Sequence, residues 1–191
     1  KTAIFQRIFN RLWSENGQVI PFYINIPERN VWFPNFAFGY YCAFASQYIA
    51  FLERDETPVE SPLTMEQIRE YGRSKSMRQI VTDVDSMLHY KESRDSDDLL
   101  WQTAASAPKR YARLYDQRFL IIMDEFQNTG EYVYRDEECK TAQDKTIPGT
   151  WHDLSESKLA PLLVTGSYVG WLINIIDTYL EAGRLKRSFL N

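Results

Sequence analysis

Arg118-Phe119-Leu120-Ile121-Ile122-Met123-Asp124-Glu125-Phe126-Gln127 decides how this chain is read. Leu120 to Met123 form an unbroken apolar run that ends on two adjacent carboxylates, Asp124 and Glu125. Such a run suits a strand buried on both faces of a parallel sheet rather than an alternating, half-solvated one. Two adjacent acids are not tolerated inside that sheet, so they emerge at its carboxyl end, where α/β sheets place their ligands. Acid pairs there suit nucleotide hydrolysis. One carboxylate orients Mg²⁺ through its water shell, and its neighbour polarises the water that attacks the γ-phosphate. The plainer reading is a strand end carrying two solvated acids.

Upstream, Lys1-Thr2 opens a segment with apolar residues at Ile4, Phe5, Ile8, Phe9, Leu12 and Trp13. These two adjacent rows, four residues apart, predict a helix with one buried stripe. A lysine and a threonine at a helix start look like the tail of a G-x-x-x-x-G-K-[ST] loop. Lys1 would then reach the β/γ-phosphates and Thr2 the Mg²⁺. Downstream, Ala160-Pro161-Leu162-Leu163-Val164 predicts another short strand, ending in Thr165-Gly166-Ser167. A hydroxyl there can hydrogen-bond a γ-phosphate or the attacking water, and glycine lets the backbone come close. A tight turn in which Ser167 caps the next helix accounts for the same residues.

Lys1-Thr2, the apolar segment Val19 to Ile26, Leu120 to Gln127 and Leu163 to Ser167 stand in the order used by the prokaryotic (archaeal-type) P-loop ATPase family. The chain resembles those signal-transduction ATPases, which are related to the AAA+ proteins. The resemblance implies a three-layer α/β fold, a P-loop NTPase-like parallel sheet between helices with strands near 19–26, 118–124 and 161–165 and the acid-pair strand central. It implies phosphate contact by Lys1, Mg²⁺ ligation by Thr2, a water-mediated hold on Mg²⁺ by Asp124 and general-base work by Glu125. Ser167, and less directly Thr165, would sense the γ-phosphate. Arg184 follows a predicted helix from Tyr168 to Leu180. In oligomeric ATPases an arginine after this helix reaches a neighbour's γ-phosphate, but a cation after Gly183 equally complements the helix dipole. Gln127 could orient water or cap its own loop.

The family's first strand, glycine-rich loop and lid are not in this sequence, so the chain reads as an excerpt of a longer protein whose sheet has an open edge. The implied function is an Mg²⁺-dependent, ATP-binding and ATP-hydrolysing module of a regulatory or switch ATPase, with ATP and Mg²⁺ as cofactors and a protein partner or self-association. No Asn-Lys-x-Asp guanine-reading motif is present. The competing readings are a non-hydrolysing, nucleotide-dependent scaffold and a nucleic-acid remodeller.

Composition sets the remaining bounds. At 191 residues, 44% of them hydrophobic, the chain has material for one ordinary globular core. A net charge of −4 argues against a generic nucleic-acid binder. No run approaches the roughly eighteen apolar residues of a membrane span. Cys42 and Cys139 lack metal-ligand spacing and read as reduced thiols of a cytoplasmic protein. Residues about 34–117 exceed a minimal crossover and predict an all-helical insert, its first helix rich in rings that suit core packing or, alternatively, a pocket or partner surface stacking planar groups such as an adenine. The acids and serines of Glu92 to Asp98 read as a solvated loop. Residues about 128–158 read as an irregular loop beside Glu125, a lid, partner contact or substrate loop. His152 and His89 have no nucleophile or metal partner in the pattern.

Overall fold

The computed structural model describes residues 2–93, 96–141, 143, 147–151, 156–168, 170–171, 173–174 and 177. In chain order its elements are α1 (Thr2–Glu15), β1 (Val19–Asn25), β2 (Val31–Trp32), α2 (Phe33–Glu53), α3 (Thr57–Glu60), α4 (Met65–Ser74), α5 (Arg78–Glu92), α6 (Asp97–Leu114), β3 (Arg118–Asp124), α7 (Asn128–Glu131), β4 (Val133–Tyr134), a 3₁₀ turn (Ile147–Trp151) and β5 (Leu162–Val164).

β1, β3 and β5 form a parallel sheet with β3 in the middle. The register runs from Val19↔Arg118 to Asn25↔Asp124 on one side of β3, and from Ile121↔Leu162 to Met123↔Val164 on the other. Ile121, Ile122 and Met123 are all fully buried, as the continuous apolar run requires of a central parallel strand. The chain is therefore α/β, with a small parallel sheet flanked by helices.

Side chains alternate across the sheet, and the alternation assigns its faces. Phe22 and Phe119 point to α2: Phe22 meets Tyr40 and Phe44 edge-on, each at 5.4 Å, and Phe44 meets Phe119 at 5.4 Å. The rings of α2 are thus core, and Tyr40, Tyr41, Phe44 and Tyr48 are at most 1% exposed. α6 packs against α2 and is joined to it by a Tyr41–Tyr111 hydroxyl pair at 2.9 Å. On the outer edge of β1, the Gln47 amide of α2 accepts from Tyr23 N–H (2.9 Å) and donates to Tyr23 C=O (2.7 Å). One side chain thereby covers backbone groups an edge strand leaves open.

Tyr23 itself points to the other face, where Phe9 of α1 meets it at 6.3 Å. α1 ends at Glu15 and β1 begins at Val19, so the helix runs back along the strand. Fourteen helical residues span about 21 Å and seven strand residues about 23 Å. The first turn of α1 consequently stands at the carboxyl end of the sheet. Only one of its apolar rows is well covered: Phe5 and Trp13 are buried, whereas Ile4 is 45% exposed. The single wide stripe expected from the sequence is split.

Between β1 and β3 the described chain is helical apart from β2, which pairs in parallel with β4 beyond the carboxyl ends of the main strands. Residues 128–158 are less irregular than their composition suggests. They hold α7, β4 and the 3₁₀ turn, and Trp151 is fully buried against Trp101 (4.9 Å), Phe126 (5.3 Å) and Tyr40 (6.2 Å). A ring of that size ties the turn to the core, so a freely moving lid does not describe Ile147–Trp151.

Candidate functional site

Asp124 is the last residue of β3, opposite Asn25 and on the α1 face. It is 1% exposed, and a buried carboxylate needs donors. The Tyr23 hydroxyl supplies one to Oδ2 at 3.1 Å, and the Glu125 N–H supplies another to Oδ1 at 3.1 Å. Burial, then the charge of Asp124 and the hydrogen bond to it, push the Tyr23 phenol up to about 12. Tyr23 therefore remains a protonated donor at neutral pH. Gln6 of α1 hydrogen-bonds the same hydroxyl with the opposite effect. This contact brings α1 to the acid pair one turn after Thr2, on the face that Thr2 shares.

Glu125 leaves the strand in the left-handed region, with φ 54°. A non-glycine residue there carries strain and takes its side chain out of the strand's alternation. The carboxylate meets Ser167, which lies beyond β5. Ser167 Oγ is 2.7 Å from Oε1 and 2.9 Å from Oε2, and Ser167 N–H donates to Oε2 at 3.2 Å. Gln127 Nε2 also donates to Oε2. Backbone bonds hold the two strand ends together: Thr165 N–H to Met123 C=O (2.9 Å) and Phe126 N–H to Thr165 C=O (2.8 Å). From the β1 side, Asn128 Nδ2 donates to Ile26 C=O at 2.7 Å.

The structure thus brings Asp124, Glu125 and Ser167 to one place, with Thr165, 7% exposed, forming the backbone tie beneath them. Thr2 opens α1 and is exposed at the same end of the sheet. Lys1, Arg184 and His152 lie outside the described residues, as does part of the helix expected over Tyr168 to Leu180. Sequence reading missed Tyr23, Gln6 and Asn128. Tyr23 left a signal, a hydroxyl in an apolar strand at the parity that faces α1. Gln6 left another, four residues after Thr2.

Elsewhere the chemistry is quiet. Among the described residues no group of three or more His, Cys, Asp or Glu is placed to hold a metal ion. His89 lies on α5 beside Tyr90, with ring centroids 6.0 Å apart. Burial pushes the Cys42 thiol up to about 11, so it is not a ready nucleophile. No helix among the described residues is long and apolar enough to cross a membrane. No protein-family model, curated protein or solved structure matches this chain.

Proposed function

We propose that this chain is part of a P-loop-type ATPase module of a regulatory or switch protein, in which Glu125 activates water against the γ-phosphate of ATP. The observation that carries the reading is the meeting of Glu125 with Ser167, from two adjacent parallel strands, at the carboxyl end of β3 beside buried Asp124. A general base needs a held carboxylate, and a phosphate sensor needs a hydroxyl within reach of the same reacting centre. The parallel order with β3 central supports the reading too. Among the described residues β5 is paired on one side only, which leaves room for a phosphate-binding strand.

The donor set fits Mg²⁺, which is held by one or two carboxylates, substrate phosphates and its own waters. Asp124 and Thr2 would hold it, and when bound it supplies charge neutralisation for the phosphates. Each Asp124 oxygen spends one hydrogen bond on the protein and keeps further lone-pair capacity. Tyr23 holds that carboxylate in place. Glu125 takes the proton of the attacking water, and Ser167 turns its hydroxyl from Glu125 to the phosphate. Lys1 would add charge to the phosphates, and Arg184 would serve a neighbouring copy. The site chemistry suits a cytoplasmic protein that couples ATP to a protein partner or to self-association.

One observation favours the second reading, a non-hydrolysing scaffold. The Glu125 carboxylate is engaged by Ser167 and Gln127, as a purely structural clamp would be. Phosphate release by the full protein, compared with Glu125→Gln, separates the two. A rate for wild type at least about 10²-fold above the variant supports hydrolysis. Equal background rates refute it, and stimulation by nucleic acid would move the assignment to a remodeller.

A further inference from the structure

Glu125 sits in a backbone conformation that does not itself aim its side chain, and two side chains aim it. Ser167 is exposed. Gln127 is different. It is fully buried between Phe126 and Asn128, at 0% and 1% exposure, and has no route to a substrate. Its Oε1 finds no hydrogen-bond partner among the described residues. A buried amide oxygen without a donor destabilises a fold, and an apolar side chain of the same length would avoid that cost. The amide gains only through its other end, where Nε2 donates to Glu125 Oε2. The reverse orientation would set Oε1 against the carboxylate, and two acceptors repel. The contact therefore fixes the direction in which the Glu125 carboxylate points.

We propose that Gln127 is the positioning residue of this site, holding the Glu125 carboxylate aimed while Ser167 is free to change partners. The proposal rests on the reading of Glu125 as general base. Gln127→Met keeps length and volume but removes every donor, so it separates positioning from packing. In the full protein, Gln127→Met stays folded, keeps KM for Mg²⁺-ATP within about twofold and loses about tenfold or more in kcat, since small misplacements of a reacting group cost that much. Combined with Glu125→Gln it causes no further loss, because the two act as one unit. Wild-type kcat in Gln127→Met, or multiplicative losses in the double variant, overturns the proposal.

A second readout needs no nucleotide. At a fixed pH of 7, NMR relaxation of the Glu125 side chain reads how tightly the carboxylate is held. Wider Glu125 motion in Gln127→Met supports the positioning role, and unchanged motion refutes it. A wild type that releases no phosphate yet shows that loosening would sink the ATPase reading and leave the Gln127–Glu125 assignment standing.

Discussion

Tyr23→Phe removes one oxygen and tests how Asp124 is held. Asp124 is 1% exposed and accepts two protein hydrogen bonds, from Tyr23 and from Glu125 N–H. Hydrogen bonds to charged groups contribute about 1.5–3 kcal/mol. At 3.1 Å the Tyr23 bond is long for an O–H donor. A half-buried phenol also leaves a path for water to replace it, so about 1.5 kcal/mol is expected. For a chain of 191 residues the unfolding entropy is about 0.4 kcal/mol/K, which makes the fall in melting temperature about 4 °C. Urea unfolding at pH 7 followed by tryptophan fluorescence reads the loss. The pH dependence adds an independent check. The folded Tyr23 phenol is raised to about 12 from an ordinary value near 10. Its contribution is fully present below pH about 10 and is lost as pH rises through about 12. The gap between wild type and Tyr23→Phe should therefore close over that window. A loss below about 0.5 kcal/mol at pH 7, or a gap unchanged across it, would refute the arrangement.

Two further substitutions test the frame around the site. Trp151→Ala empties a fully buried position against Trp101, Phe126 and Tyr40 and should cost about 3–5 kcal/mol in urea unfolding; a loss under 1 kcal/mol would mean that the Ile147–Trp151 turn is not anchored. Arg110→Met removes the cation 2.7 Å from Asp83, a carboxylate 2% exposed, and should cost about 3 kcal/mol or more. Adding Asp83→Leu to it should restore most of that loss, and failure to do so would show that the pair is not the source.

The acid-pair strand was legible because its apolar run, within the seven residues Arg118–Asp124, passes directly into the carboxylates of Asp124 and Glu125. Thr165-Gly166-Ser167 was legible as a strand end, since hydroxyls and a glycine abruptly replace Leu162–Val164. Less legible was anything set by pairing. The contact of Tyr23 with Asp124 spans 101 residues and depends on strand register, which no local pattern specifies. Trp151 was hidden for a related reason. A lone ring in a polar stretch has no periodicity, and its burial is decided by Trp101 and Phe126, which distant parts of the chain supply. α1 was over-read in the other direction. Its six apolar positions predict one wide buried stripe, but only the Phe5–Trp13 row meets the sheet and α2 closely, and Ile4 stays in solvent.

The most direct test of the site is a paired measurement of Mg²⁺-ATP affinity and turnover in the full protein carrying Asp124→Asn or Glu125→Gln. Asp124 serves the bound ground state and Glu125 mainly the transition state, so the two variants should fail differently. Glu125→Gln should keep affinity within about twofold and lose about 10²-fold or more in turnover, on the order a positioned base contributes. Asp124→Asn should weaken Mg²⁺-ATP binding. Reversed phenotypes would exchange the two roles, and variants that bind and turn over like wild type would leave Asp124 and Glu125 as a polar strand end without catalytic work.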